Sequence, residues 1–167
     1  MKPKFRQLYR DLALRVAALS YAKRLQVGAI VVKDDRIISM GYNGMPAGWE
    51  NDCEHVELMP FNYTNIEDYP FLGDFWRDGQ NVKQRYRLVT RPEVLHAESN
   101  AIAKLAKSND SGLGADLFST HSPCIECAKL IYQSGIRRVY YGQDYRDDSG
   151  VKFLKASGVE VVKHDDE

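Results

Sequence analysis

The sequence predicts an α/β protein, a three-layer α-β-α sandwich with a five-stranded mixed sheet. A helical period opens the chain, two β-branched runs follow it, and the second half alternates helices with strands. A short turn makes neighbouring strands antiparallel, whereas helical crossovers make them parallel, so we expect a mixed sheet. One domain over residues 1–167 is predicted, because a chain of this length buries a core without disulfides.

The first helix and the first two strands follow from hydrophobic periodicity. Apolar side chains recur on one helical face at Phe5, Leu8, Leu12, Val16 and Leu19. Residues 27–32 form a β-branched apolar run that is typical of a strand covered on both faces. Residues 33–35 form a turn and residues 36–42 a second strand, so an antiparallel hairpin is expected.

Residues 45–92 show no sustained period and are predicted to be an irregular insertion. The segment contains Pro60, Pro70 and Pro92 together with many aromatic residues. A structureless loop of this length is uncommon in a compact domain, and aromatic residues argue against disorder. We therefore expect short helices and turns over one edge of the core, where they shape a pocket or a subunit contact.

The second half supplies the remaining helices and strands. His96 opens a helix whose buried stripe contains Ala101, Ile102 and Leu105. Residues 115–120 form the third strand, and a helix runs from Cys124 towards residue 135. Residues 136–141 are the fourth strand, a short helix lies near residues 151–155, and residues 158–162 are the fifth strand.

Charge, hydrophobicity and cysteine content argue against a nucleic-acid binder, a membrane protein and a secreted disulfide-bonded protein. Basic and acidic residues both number 23, and a dedicated nucleic-acid binder usually has a basic excess, so no nucleic-acid partner is expected. No apolar run reaches the length of a signal sequence or membrane span. The chain has three cysteines, two of them in Cys-x-x-Cys, which argues against a secreted disulfide framework. We expect a cytoplasmic protein without a membrane partner.

His96, Cys124 and Cys127 have the residue types of a zinc site with an open fourth position. Both cysteines lie one turn apart at a helix start, where the helix dipole favours thiolates. Glu98 stands two residues from the imidazole, and His-x-Glu with Pro-Cys-x-x-Cys, here completed by Pro123, is the signature of zinc nucleobase deaminases. Glu98 is therefore predicted to accept a proton from water and to return it to substrate.

A structural zinc site is the alternative interpretation of the same residues. Such a site needs a fourth protein ligand. The remaining candidates are Cys53, His55, His121 and His164.

Several stretches, in order, resemble deoxycytidylate (dCMP) deaminases of the zinc-dependent cytidine-deaminase-like superfamily. They are residues 26–29, 41–48, 96–102, 122–129 and 134–141. The zinc motif is shared by the whole superfamily, and Gly-Tyr-Asn-Gly-Met-Pro-x-Gly at residues 41–48 selects this family. The resemblance implies a cytidine deaminase-like fold and deamination of dCMP to dUMP, the precursor for dTMP synthesis.

The resemblance also implies roles for individual residues. His96, Cys124 and Cys127 would bind one catalytic zinc, with Glu98 as the proton shuttle. The substrate would contact Tyr145, Ala97 and Ser122. For Tyr145, a purely structural role is an equal alternative.

Regulation and assembly are implied as well. Family enzymes are usually hexamers that dCTP activates and dTTP inhibits, with Mg²⁺ accompanying the triphosphate. Asn43 and Gly44 would contact the regulatory nucleotide, and Arg24 would contact a phosphate. A tight turn and a solvated charge are the alternatives for these positions.

A second zinc is not expected. Some phage members bind a structural zinc with a histidine two residues before the catalytic one, and this chain has Val94 there. Cys53 and His55 remain without a convincing ligand set, so one zinc per chain is predicted.

Three rival functions share the zinc motif. The first two are a tRNA adenosine deaminase and a deaminase of nucleosides or free bases. The third is a zinc-stabilised nucleotide sensor, which would not need Glu98.

Overall fold

The computed structural model describes residues 1–164 and confirms the α/β class with a five-stranded mixed sheet. Its helices are α1 (Pro3–Ala17), α2 (Ala97–Leu105), α3 (Ile125–Gln133) and α4 (Ser149–Ala156). Its strands are β1 (Gly28–Lys33), β2 (Arg36–Tyr42), β3 (Glu54–Leu58), β4 (Phe71–Arg77), β5 (Gln80–Thr90), β6 (Asp116–His121), β7 (Arg138–Gln143) and β8 (Glu160–Lys163). Within residues 1–164, no helix has the length and apolar character needed to cross a membrane.

The main sheet has the strand order β2-β1-β6-β7-β8. Strand β1 is antiparallel to both β2 and β6, whereas β6, β7 and β8 are parallel. Helices α3 and α4 connect the three parallel strands, as expected for crossovers within one sheet. Because β6 and β7 are parallel neighbours, the segments that follow them start at the same edge of the sheet.

Helices cover both faces of the main sheet, which makes three layers. On one face, α1 packs Tyr9 and Ala13 against Ile30 and Phe118. On the other face, α2, α3 and α4 share a cluster with β1, β6 and β7. Its fully buried members include Ala101, Val31, Leu117, Ile131 and Leu154. Truncating one of these larger side chains to alanine typically costs about 2–5 kcal/mol.

The expectation of short helices and turns in the insertion is wrong for most of its length. Strands β3, β4 and β5 form a separate antiparallel sheet in the order β3-β5-β4, and one 3-10 turn covers Ile66–Asp68. Asp78 (φ 51°) and Gly79 (φ 80°) form the two-residue turn between β4 and β5. Such hairpins need positive φ at both positions, so Asp-Gly was the overlooked signal. Division of the chain into one domain stays a prediction.

Candidate active site

Two helix N-termini bring the predicted metal ligands together. His96 and Cys124 are the N-cap residues of α2 and α3, and Cys127 lies in the first turn of α3. Both caps have extended backbone, with φ and ψ of −73° and 153° at His96 and −69° and 169° at Cys124. His96 therefore lies just before α2, whereas the sequence predicted it as the first residue of the helix. This geometry lets residues at the two helix starts reach one point between them.

The spacing of the donor atoms fits a zinc ion. The Nδ1 atom of His96 lies 3.5 Å from the sulfur of Cys124 and 3.5 Å from that of Cys127. Tetrahedral zinc with bonds of about 2.0 Å to nitrogen and about 2.3 Å to sulfur separates those ligands by roughly 3.5 Å. All donor atoms of the three residues lie within 4.8 Å of one another. The three residues are thus already placed to hold the ion.

The candidate coordination set consists of three residues. Among the residues described, no further histidine, cysteine or carboxylate atom joins the group. The candidates for a closed structural site, Cys53, His55, His121 and His164, are outside it. Three protein ligands plus one exchangeable position distinguish catalytic from structural zinc sites.

Electrostatics at the ligands also favour a cation. Hydrogen bonds from Cys127 and His96 lower the pKa of Cys124 to about 3. The hydrogen bond to Cys124 raises the pKa of His96, and together with burial it raises that of Cys127. The hydrogen-bonded protons of His96 and Cys127 therefore favour the thiolate form of Cys124. A bound metal ion replaces those protons, because coordination deprotonates thiols outright.

Glu98 lies beside this group and is 4% exposed. It is the second residue of α2, where the carboxylate lies near the positive end of the helix dipole. Burial raises the pKa of Glu98 to about 7. A divalent cation nearby would lower that pKa, because positive charge favours the carboxylate. Glu98 has the burial and position of a group that exchanges protons with a ligand at the open coordination site.

Two glycines allow neighbouring backbone segments to pack closely against the starts of α2 and α3. Gly41 of β2 lies against α2, and a Cβ there would be 2.5 Å from the backbone nitrogen of Ala101. Gly150 of α4 lies against the start of α3, and a Cβ there would be 2.7 Å from the carbonyl carbon of Cys124. The hydroxyl of Ser39 also donates to the Ala101 carbonyl at 2.7 Å. These contacts set the positions from which the ligands project.

A cavity of about 660 Å³ opens onto the metal ligands. Its lining includes His96, Glu98 and Cys124 together with the predicted substrate residues Ala97, Ser122 and Tyr145. The Ser122 hydroxyl accepts a hydrogen bond from the backbone N–H of Tyr145 at 2.7 Å. Ser122 therefore fixes the segment after β7 that carries Tyr145. Their contact with substrate stays a prediction.

Two of the three predicted regulatory residues, Asn43 and Arg24, line the same cavity. The Asn43 amide oxygen accepts from Val27 N–H at 2.7 Å, and its amide nitrogen donates to the Leu25 carbonyl at 2.8 Å. Both polar ends of this side chain thus hold the chain's own backbone. Gly44 exchanges two backbone hydrogen bonds with Leu95, the residue before His96. The regulatory roles of these residues stay predictions.

Sequence reasoning missed several residues of the cavity wall. They include Thr90 and Arg91 from the end of the insertion, Arg146, and His121, which was considered only as a zinc ligand. Burial lowers the pKa of His121. Arg146 places its guanidinium 5.5 Å from the ring centroid of Tyr145, its sequence neighbour. That adjacency was a local signal for Arg146, whereas Thr90 and Arg91 reach the cavity only through the insertion sheet.

Comparison with known proteins gives consistent matches. The family model of the cytidine and deoxycytidylate deaminase zinc-binding region matches residues 3–143. ComE operon protein 2 of Bacillus subtilis (strain 168) is 36% identical over 131 residues, which cover 78% of this chain and 55% of that protein. The deoxycytidylate deaminase of Enterobacteria phage T4 is 35% identical over 149 residues, covering 81% and 77% respectively. The chain thus spans just over half of the Bacillus protein and about three quarters of the phage protein.

A solved structure matches over nearly the full length. The crystal structure of dCMP deaminase from the cyanophage S-TIM5 in complex with dCMP and dUMP aligns with a TM-score of 0.75. The two chains are 39% identical, and the alignment covers 98% of each.

Proposed function

Because the chain belongs to the cytidine and deoxycytidylate deaminase zinc-binding family, we propose that it hydrolyses dCMP to dUMP and ammonia. One observation carries the proposal: a group of three metal ligands lies beside buried Glu98 at a cavity large enough for a nucleotide. The dCMP and dUMP complex of the cyanophage enzyme supports the choice of substrate.

His96, Cys124 and Cys127 would hold the zinc ion. When bound there, zinc supplies Lewis acidity that lowers the pKa of water to about 7. The chain itself contributes two pre-positioned helix starts, so the ligands need little rearrangement. Pro123, which is fully buried, precedes the Cys124 cap and restricts the approach to α3.

Glu98 carries the proton transfers of this hydrolysis. Deamination forms a carbon–oxygen bond at C4 of cytosine and breaks the bond between C4 and the amine. Water supplies the oxygen, and Glu98 accepts one of its protons. Glu98 passes that proton to the ring nitrogen. It then accepts the proton of the new C4 hydroxyl and transfers it to the departing amine, which leaves as ammonia while the C4 carbonyl forms. One carboxylate serves as base and acid in turn, and its burial excludes competing bulk water.

Positive charge on the cavity wall supports a nucleotide over a nucleoside. Arg24, Arg91 and Arg146 all line the cavity that contains Glu98. Guanidinium groups suit phosphate because their planar N–H donors match two phosphate oxygens. Arg91 also pairs with Asp52 at 3.2 Å, whereas Arg24 donates to the neutral hydroxyl of Thr90 at 3.0 Å.

Regulation and assembly form the finer part of the proposal. We propose activation by dCTP and inhibition by dTTP, with Mg²⁺ accompanying the triphosphate and Gly44 in the nucleotide-contacting loop. A hexamer is proposed as the assembly, and exposed apolar residues of the insertion support a subunit contact. Phe61 is fully exposed and Trp76 is 78% exposed. The product dUMP would supply dTMP synthesis in the cytoplasm.

The testing experiment measures ammonia release by the zinc-loaded protein from three substrates. dCMP, deoxycytidine and an RNA hairpin containing adenosine are compared under identical conditions. We expect turnover of dCMP, a much lower kcat/KM for deoxycytidine, and no release from the hairpin. Equal rates on deoxycytidine would indicate a nucleoside deaminase. Absence of turnover with all three, together with tight dCMP binding, would favour the sensor.

A further inference from the structure

Two cross-strand neighbours of the insertion sheet hold Arg24 at its backbone and at its side chain. Glu54 begins β3 and pairs with Thr90 at the end of β5. One carboxylate oxygen of Glu54 accepts hydrogen bonds from the backbone N–H groups of Lys23 and Arg24, at 3.0 and 3.1 Å. The Nη1 group of Arg24 donates to the Thr90 hydroxyl at 3.0 Å. A single pair of residues thus determines where this guanidinium lies.

Glu54 is only 6% exposed, so its carboxylate needs compensation for lost hydration. The two consecutive backbone donors provide it, since adjacent N–H groups form a concavity that binds anions. Glu54 occupies that concavity. A phosphate in the cavity therefore does not use these two backbone donors. The Arg24 guanidinium remains, and it has five N–H groups, of which Thr90 engages one.

The rest of the segment that carries Arg24, residues 20–27, is anchored separately. The Ser20 hydroxyl donates to the Asn43 carbonyl at 2.7 Å, and the Asn43 side chain holds the backbone of Leu25 and Val27. The two ends of residues 20–27 are fixed by Asn43, the residue after β2, whereas the middle is fixed by Glu54. Loss of Glu54 should consequently affect residues 23 and 24 more than the rest of this wall.

We propose that Glu54 is a positioning residue that, with Thr90, orients Arg24 to bind the phosphate of the substrate, a role that differs from the regulatory phosphate contact predicted for Arg24 from the sequence. The proposal rests on the proposed function, because it requires a nucleotide in the catalytic cavity. It also gives the insertion a role in substrate selection: β3 and β5 supply the two groups that position the guanidinium. Glu54 acts through Arg24, not on the reacting atoms.

The test compares steady-state kinetics of Glu54→Ala, Glu54→Gln and Thr90→Val on dCMP and deoxycytidine. In Glu54→Ala, we expect KM for dCMP to rise about tenfold with kcat within about twofold, because a charge-assisted pair of hydrogen bonds is lost. Kinetics on deoxycytidine, which lacks the phosphate, should be unchanged. Glu54→Gln keeps an oxygen that accepts both N–H groups, so its KM should rise less. Thr90→Val should raise KM for dCMP alone.

Glu57→Gln is the matched control on the same strand. The Glu57 carboxylate bonds with Tyr69 and Arg87 within the insertion, at 2.9 and 2.7 Å, and does not line the catalytic cavity. The Glu57→Gln variant should have a lower melting temperature than the wild type and an unchanged KM for dCMP. If Glu54→Ala does not fold, Glu54→Gln and Thr90→Val carry the test, since both nearly preserve side-chain shape.

Equal losses on dCMP and deoxycytidine in the Glu54 variants, or no change on either, would overturn the proposal. Calorimetric binding of dUMP and deoxyuridine separates this failure from failure of the proposed function. If the wild type releases no ammonia from dCMP, the deaminase proposal fails. The positioning role still stands if Glu54→Ala or Thr90→Val weakens binding of dUMP but not of deoxyuridine. It falls if neither variant changes the affinity for dUMP, or if both affinities fall together.

Discussion

Replacing Gly41 with alanine should displace the catalytic helix start and lower turnover. The new Cβ would be 2.5 Å from the Ala101 backbone nitrogen and 3.1 Å from its Cα atom, whereas ordinary contact begins near 3.4 Å. The backbone of α2 or β2 must therefore move by about 1 Å. Misplacement of this size can cost about 100-fold in rate, because the reacting groups lose their alignment. The strain should also destabilise the fold by about 1–3 kcal/mol.

Gly28→Ala is the matched control for Gly41→Ala. A Cβ at Gly28 would be 2.9 Å from the Cα atom of Ala17, so the clash is against the backbone of α1, on the other face of the sheet. Helix α1 carries none of the metal ligands. Both variants should melt at lower temperature, but only Gly41→Ala should lose most of its kcat for ammonia release from dCMP at full zinc loading. Equal kcat losses in the two variants would refute the argument that Gly41 acts by positioning α2.

Three further predictions concern the metal, the proton shuttle and the effectors. Glu98→Gln should keep one zinc per chain by elemental analysis and lose about 10³-fold in kcat, because its amide cannot exchange protons; near-normal turnover would exclude the role. Cys124→Ala should fail to retain stoichiometric zinc after gel filtration and release no ammonia, whereas two zinc ions in the wild type would contradict a single site. With Mg²⁺ present, dTTP should lower the initial rate on dCMP and dCTP should restore it; flat titrations would rule out this regulation.

The group of His96, Cys124 and Cys127 and the main sheet could be predicted because their signals are local. Cys124 and Cys127 are one helical turn apart, and His96 and Glu98 are two residues apart. Such short spacings predict from the sequence which side chains lie close together. The β-branched, apolar composition of Gly28–Lys33 likewise predicts a buried strand. The insertion was predicted less well because β4 is exposed along much of its length, which leaves little hydrophobic alternation.

The surroundings of the metal could not be predicted from local spacing. Glu54 lies 30 residues from Arg24 in sequence, and Thr90 lies 66 residues from it, yet both bond to it. The family resemblance implied that Asn43 contacts a regulatory nucleotide, and that role stays a prediction; in the structure its amide is bonded to Val27 and Leu25. An amide that suits a nucleobase suits backbone equally well. Only tertiary packing decides which partner it meets.

The two ends of the proposed substrate site are supported by different parts of the molecule. At the metal end, Gly41 and Gly150 hold two helix starts against the buried core, where a shift as small as 1 Å is costly. At the phosphate end, Glu54 and Thr90 belong to a separate three-stranded sheet in which every residue except Glu54 is at least partly exposed. Changes in that sheet can therefore alter recognition of the phosphate while the metal ligands and Glu98 keep their positions. We therefore expect substitutions in the two supports to change kcat and KM for dCMP separately.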